Sequence, residues 1–244
     1  SGNVVFGTGA IKEAYPEWWG SISTAITALG STSIKLIVDT TFTVDSAITV
    51  PANISLEIVK GGMLTKGGAG TIAINGPFST GLFQVFSGFS SGDVTFGAGS
   101  IKEIYPQWFG AKGDNSTDNT TPFYNSARCM VLSKIKMFIP SGTYLSGQVI
   151  IGNLQNDPEY VEIEGAGLFG GTIIKPIGTI DGIFTVQGYN PEVDGAGNRR
   201  AGGRISNIDF VGSGNVGAAI KIYGAQGPVI KRVRIQHFET GIAL

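Results

Sequence analysis

One cysteine, Cys129, and one histidine, His237, stand among 244 residues. A single thiol closes no internal disulfide, and a single imidazole leaves no His-rich zinc site and makes any Ser-His-Asp triad depend on one residue. Charge is scarce too. Lys+Arg 17 and Asp+Glu 18 make up 14% of the chain with a formal net charge of −1, so the basic footprint of a nucleic-acid binder is missing. No apolar run reaches the ~18 residues of a spanning helix, and Ser1–Gly30 holds no basic segment followed by an apolar one. The expectation is a protein with no cofactor, no bound metal, no nucleic-acid partner and no membrane span.

What is present is turn-forming and apolar. Glycine accounts for 38 residues, and 42% of the chain is hydrophobic, which argues against disorder. The sequence also repeats itself. V-F-G-T-G-A-I-K-E-A-Y-P-E-W-W-G at Val5–Gly20 returns as T-F-G-A-G-S-I-K-E-I-Y-P-Q-W-F-G at Thr95–Gly110, with ten identities in sixteen positions. After each copy comes a plausible short helix (Ser21–Leu29, Thr121–Leu132) and then a strand, I-K-L-I-V at Ile34–Val38 and I-K-M-F-I at Ile135–Ile139.

Between the copies, short alternating bursts are bounded by Pro51-Ala52-Asn53, Gly61-Gly62 and Gly76-Pro77, which reads as stacked short strands. Near the end, Ile205–Phe210 superposes on Ile230–Ile235 and Ala219–Ile222 on Gly241–Leu244. Two strands recurring every ~22 to 25 residues is the pattern of a parallel β-helix. In that register Ile205, Ile208 and Phe210 face the core beneath Ile230, Val233 and Ile235, one strand spacing of about 4.8 Å away. Asp209 and Arg234 then meet on the outside as an exposed pair, worth a few tenths of a kcal/mol, roughly.

Three motifs in order carry a family likeness: W-F-G-A-K-G-D-N-S-T-D-N-T at Trp108–Thr120, F-I-P-S-G-T-Y-L at Phe138–Leu145 and I-E-G-A-G at Ile163–Gly167. Together they resemble the opening of the pectate-lyase-like superfamily domain, found in phage tailspikes, polysaccharide depolymerases and secreted β-helix proteins. The resemblance implies an all-β fold, a right-handed parallel β-helix with short capping helices, preceded here by the duplicated β-rich linker module. Asn115, Asn119 and Pro122-Phe123 depart from the family pattern, so the capping helix is expected to be shorter or to start later. Residues 1–20 read as the tail of a preceding unit, 21–110 as a β-rich module ending in the Y-P-x-W-F-G linker, and 111–244 as the first part of the β-helix. On this reading the chain begins inside one unit and the natural protein continues past Leu244.

Functional candidates are few. Asp114 and Asp118 lie in a Gly/Asn-rich stretch that suits a hard cation, or serve as an Asx-turn and helix cap. Trp18, Trp19 and Trp108 offer sugar platforms, or fill seams in two equivalent buried settings. The segment Gln187–Gly203 offers Tyr189 for stacking, Glu192 and Asp194 as carboxylates, and Arg199, Arg200 and Arg204 as carboxylate clamps, the composition of an acidic-polysaccharide groove or of any solvated Gly-rich loop. A glycosidase needs two carboxylates about 5 to 9.5 Å apart. Asp181, Asp194, Asp209 and Glu239 are available, but no spacing pairs them, so catalytic residues stay unassigned. The functions in view are an extracellular or virion-associated tailspike-like or adhesin-like protein that binds polysaccharide, with cleavage left open; a non-catalytic shaft or filament module; and a secreted polysaccharide lyase or glycoside hydrolase. The resemblance implies a homotrimer or larger assembly.

Overall fold

The computed structural model describes residues 11–90, 92–151, 160–187, 200–201, 203–214, 217–223, 225–226 and 229–244. The chain divides into two compact units, Ser1–Lys102 with Trp108–Gly110, and Glu103–Gln107 with Ala111–Leu244. Among the described residues no helix is long and apolar enough to cross a membrane.

The first unit opens with β1 (Glu13–Ala14), a 3-10 turn at Pro16–Trp19 and α1 (Ile22–Leu29). Pro16 fits the first turn, where no backbone donor is needed, and Gly20 closes it at φ +80. Gly110 ends the second copy of the motif at φ +100, so the invariant final glycine of both copies meets a left-handed backbone. The Ser21 hydroxyl accepts the Thr24 N–H at 3.1 Å and starts α1, whose Ile22, Ala25 and Leu29 form one buried stripe.

A run of short strands follows: β2 (Ile34–Val38), β3 (Thr41–Val44), β4 (Ala47–Val50), β5 (Ile54–Ile58), β6 (Met63–Lys66), β7 (Thr71–Ile74), β8 (Phe78–Thr80), β9 (Phe86–Ser87) and β10 (Val94–Phe96). Each run is cut short by turn residues, so pairing partners come from further along the chain and every ladder is parallel. The result is three small sheets, β1-β2-β5-β8, β3-β6-β9 and β4-β7-β10. Alternation puts Leu36, Leu56 and Phe78 in one buried row, and Val50, Ile74 and Phe96 in another.

The second unit contains β11 (Asp114–Asp118), α2 (Thr120–Ser133), β12 (Met137–Ile139), β13 (Gly142–Ser146), β14 (Val149–Ile151), β15 (Glu162–Gly165), β16 (Thr172–Pro176) and β17 (Gly182–Gln187). Then come β18 (Arg200–Ala201), β19 (Arg204–Val211), β20 (Ala218–Tyr223), β21 (Ala225–Gln226), β22 (Val229–Gln236) and β23 (Thr240–Ala243). A seven-stranded sheet runs β11-β13-β16-β19-β15-β12 with β22 beside β19, next to a β14-β17-β20-β23 sheet and a β18-β21 pair. The long strand β19 serves two neighbours. Its first half pairs with β15 and its second with β16, because Asn207 bends it at φ +59. Gly165 makes that bend possible, since a Cβ there would lie 2.4 Å from the Asn207 carbonyl oxygen.

The register expected at the end of the chain is found: Ile205 faces Ile230, Ile208 faces Val233, Asp209 faces Arg234 and Phe210 faces Ile235. Ile220 likewise faces Ile242. The larger expectation fails. The structure is predominantly β, but its strands fall into six separate sheets of two to seven strands in two units, and a right-handed parallel β-helix after a distinct linker module is not what it shows. Strand periodicity specifies which residues pair; it carries no information on whether successive sheets join into one continuous coil.

The helix expected at Thr121–Leu132 is found, one residue longer at each end. α2 is 14 residues long and starts at Thr120, because Pro122 sits in the first turn and displaces no helical hydrogen bond. Asp118 accepts the Thr120 N–H at 2.8 Å, and Phe123, Ala127 and Met130 are buried, with Phe123 meeting Tyr144 at 5.6 Å and Phe184 at 6.0 Å.

Candidate functional site

In the second unit, Ile104, Met137, Ile163 and Ile205 line up across neighbouring strands and point inward, all buried. Period-two alternation therefore turns Glu103, Tyr105, Lys136, Phe138, Glu162, Glu164 and Arg204 to the opposite face. These side chains form a connected surface. Lys136 Nζ lies 2.8 Å from Glu103 and 2.7 Å from Glu164, and 5.8 Å from the centre of the Phe138 ring. Tyr105 donates to Glu103 at 2.8 Å and packs edge-on against Phe138 at 5.9 Å. Tyr160 donates to Glu162 at 2.6 Å, Arg204 sits 3.6 Å from the same carboxylate, and Asn207 donates to Glu164 at 3.0 Å.

Electrostatics follow from this wiring. Burial lowers the tendency of Lys136 to stay charged, but the Glu103 and Glu164 carboxylates outweigh it and hold the ammonium above its usual range. Burial first, and then the adjacent Glu103 carboxylate, pushes Tyr105 up to about 12. Tyr160 is pushed up to about 12 by burial and Glu162. Burial alone does the same to Tyr144, against the lowering hydrogen bond from Gln107. An alkaline titration followed at 295 nm is expected to show Tyr105, Tyr144 and Tyr160 ionising near pH 12, with Tyr105 and Tyr160 moving part of the way back toward the ordinary value when Glu103 and Glu162 are changed to Gln, because burial remains. Because the folded chain keeps protons that the unfolded chain releases from about pH 10, stability declines between about pH 10 and 12.

The turn between β15 and β16 completes the surface. Phe169 stands at its tip, 78% exposed, with φ +55, a conformation that bulky residues avoid. Its N–H donates to Asp209 Oδ2 at 2.9 Å, and the Arg234 guanidinium lies 4.6 Å from its ring centre. Arg234 in turn grips Asp209 with two bonds, Nε to Oδ1 at 3.0 Å and Nη2 to Oδ2 at 2.7 Å. The expected Asp209–Arg234 contact thus exists, but as something stronger than a solvent-exposed ladder pair: the turn folds over Asp209 and leaves it 0% exposed.

Sequence-derived candidates are dispersed. Tyr189, Glu192, Asp194 and Arg199 lie outside the described residues, and Arg200 is described only as backbone paired with Ala225 in β18 and β21. Arg204 joins the surface through Glu162. Asp181 is held by Lys221, Asp209 by Arg234, and Glu239 lies with His237 and Phe238 at a shallow groove of about 430 Å³. Asp114 spends its carboxylate on the Ser116 and Thr117 N–H groups, which together with the Thr117 hydroxyl hold it well below the usual carboxylate range. Among the described residues no group of three or more His, Cys, Asp or Glu side chains could hold a metal ion. Cys129 is buried and its thiol is pushed up to about 12, which leaves it unreactive.

The two tryptophan motifs are not equivalent. Trp108 is 4% exposed, packed on Phe78 at 5.3 Å and Phe96 at 5.9 Å, with its indole N–H on the Gly81 carbonyl at 3.1 Å. Trp18 is 40% exposed and meets Tyr15 and Trp19 at 5.5 and 5.8 Å. Trp108 enters a cluster of phenylalanines, Phe78 and Phe96 among them.

Phe169, Tyr105 and Tyr160 were not among the sequence candidates. The signal for Phe169 was present as L-F inside G-A-G-L-F-G-G, apolar residues in a glycine turn that has no core side to bury them.

No protein-family model matches the chain, nor does any curated protein or solved structure. The likeness of residues 108–244 to the pectate-lyase-like superfamily therefore rests on their motifs alone.

Proposed function

We propose that this is an extracellular or virion-associated polysaccharide-binding protein, and that the exposed surface of its second unit holds the sugar chain. The observation that carries this reading is Phe169. An aromatic ring held 78% exposed, on a strained backbone and braced by Arg234, gains little from burial and offers a rigid flat face to a ligand ring. Tyr105, Phe138 and Tyr160 supply further rings and hydroxyls on the same unit. The motif resemblance supports an assembly of three copies.

The same surface argues for binding without cleavage. Glu103, Glu162 and Glu164 are each engaged by Lys136 or Arg204, so none stands free to attack or protonate a glycosidic bond. The test is a panel of neutral and acidic polysaccharides scored for retention and for release of reducing ends and 235-nm absorbance. Retention by at least one polymer without release is expected, and Phe169→Gly, which suits the left-handed backbone, is expected to weaken that retention at least tenfold with unchanged thermal stability. Equal retention by the variant removes the reading.

A second reading, a non-catalytic spacer, is favoured by the duplicated charge ladder. Lys35 sits between Glu13 at 3.5 Å and Glu57 at 3.1 Å in the first unit just as Lys136 sits between Glu103 and Glu164 in the second. A chain that retains no polymer while light scattering shows a defined multimer would favour it.

A further inference from the structure

We infer that the Trp18–Trp19 face of the first unit is a docking surface, and that the partner it fits is a separate β-rich unit whose sheet ends in stacked phenylalanines. The second copy of the motif shows how such a contact is made. Glu103–Gln107 belong to the second unit, where Ile104 bridges Met137 and Glu103 meets Lys136, while Trp108–Gly110 belong to the first. There Trp108 lies against Phe78 at 5.3 Å and Phe96 at 5.9 Å, and Phe109 against Phe86 at 5.4 Å. Two hydrogen bonds fix this plug: the Val85 N–H donates to the Trp108 carbonyl at 3.0 Å, and the Trp108 indole N–H donates to the Gly81 carbonyl at 3.1 Å. Trp108 and Phe109 are left 4% and 7% exposed, and a Cβ on Gly110 would lie 3.2 Å from the Gln84 side chain.

The first copy repeats the opening half of this arrangement. Strand β1 pairs with β2, and Glu13 lies 3.5 Å from Lys35 as Glu103 lies beside Lys136. Pro16–Trp19 forms the same 3-10 turn as Pro106–Phe109, and Gly20 ends it on the same left-handed backbone as Gly110. The closing half differs in exposure at each of three positions. Trp18 is 40% exposed where Trp108 is 4%, Trp19 is half-buried where Phe109 is 7%, and among the described residues nothing lies within 4 Å of a Cβ placed on Gly20. Tyr15 packs on Trp18 at 5.5 Å and Trp18 on Trp19 at 5.8 Å, so the rings are held by their own turn and dock with little loss of side-chain freedom. Two preset indoles offer a large apolar area with one N–H each to satisfy. Phenyl rings and a backbone carbonyl meet that demand, as Phe78, Phe96 and the Gly81 carbonyl do for Trp108. The surface lies in the first unit, apart from Phe169, and does not depend on the sugar-binding reading.

The test opens the chain's own phenylalanine cluster. Trp108→Ala/Phe109→Ala in the full chain leaves Trp18 and Trp19 as the remaining tryptophans, so emission reports their face alone. With both halves of the contact then present in each molecule, this variant is expected to associate head to tail at least tenfold more tightly than the native chain in sedimentation velocity, its emission moving to the blue and losing acrylamide quenching as concentration rises. Adding Trp18→Ala/Trp19→Ala is expected to return it to the native size. An open-cluster variant that stays at the native size, or one that still associates without Trp18 and Trp19, overturns the proposal, and so does Trp18–Trp19 emission that answers to a polysaccharide and not to a second chain. Phe109→Trp supplies a check that does not require the emptied cluster to fold, because it sets the first copy's ring pair on this chain's phenylalanines. An unchanged melting temperature with the new indole shielded from acrylamide is expected, and a lowered melting temperature or an exposed indole overturns the assignment.

Discussion

Replacing Arg234 by alanine is expected to destabilise the second unit by about 4 kcal/mol, and to do so more than replacing Asp209, its partner. The asymmetry comes from burial. Asp209 is 0% exposed, so removing Arg234 leaves an anion that cannot reach water and has only the Phe169 N–H as a donor. Removing Asp209 instead leaves a guanidinium whose side chain is 33% exposed and can turn outward, at a cost of about 2 kcal/mol. The double variant is expected to fall nearer the milder single change, because neither charge is then stranded. Amide hydrogen exchange across β19 and β22, which reports this unit alone, is the measurement. A deficit equal for the two single variants would mean that Asp209 is not held as a buried ion.

This pair also shows where sequence reasoning reached its limit. Matching Ile205–Phe210 to Ile230–Ile235 was enough to place Asp209 opposite Arg234, because side chains one strand apart are set by period and register. It assigned the pair to solvent, because alternation says which face a residue occupies and not what folds over that face. The covering element, the turn of Gly165–Gly171, contains no periodic signal; it is anchored by a backbone hydrogen bond whose acceptor is 40 residues away. The β-helix expectation failed for a related reason: ladders between neighbours are local facts, and continuity between sheets is not.

The repeated motif was legible to the same degree. I-K-E in both copies and I-K-L and I-K-M after them mark the two carboxylate–lysine ladders, Glu13–Lys35–Glu57 and Glu103–Lys136–Glu164. The settings of the aromatic halves were not legible. Tyr-Pro-x-Trp folds as the same 3-10 turn twice, yet Trp108 is buried against Phe78 and Phe96 while Trp18 stays 40% exposed. Local chemistry fixes the turn, and the neighbours decide whether its ring is core or surface.

One position within that motif differs between the copies in a way that carries a large expected effect. Glu17 lies exposed in the first copy, where burial and the neighbouring Asp39 carboxylate raise its pKa; Gln107 replaces it in the second and is 9% exposed. Gln107 donates through Nε2 to the Tyr144 hydroxyl at 2.8 Å, and Tyr144 passes its own proton to the Pro140 carbonyl at 3.0 Å, while Gln107 Oε1 is buried without a hydrogen-bond partner. Gln107→Glu, the first copy's residue, is expected to destabilise the second unit by about 3 kcal/mol at pH 7. An ionised Glu has no proton to give Tyr144; if the tyrosine turns its hydroxyl toward the carboxylate, the Pro140 carbonyl loses its donor instead. The pH dependence follows from the sign of the shift. Burial raises the carboxyl's pKa in the folded chain above the unfolded value of about 4.3, so the folded state holds the extra proton and the deficit is absent below about pH 4, growing as pH rises until the folded group also ionises. Restored stability at pH 4 with loss at pH 7, in Gln107→Glu but not in Glu17→Gln, is the expected pattern. A variant equally stable at both pH values would show that Gln107 reaches water, and that the hydrogen-bond chain through Tyr144 to Pro140 does not depend on an amide at this position.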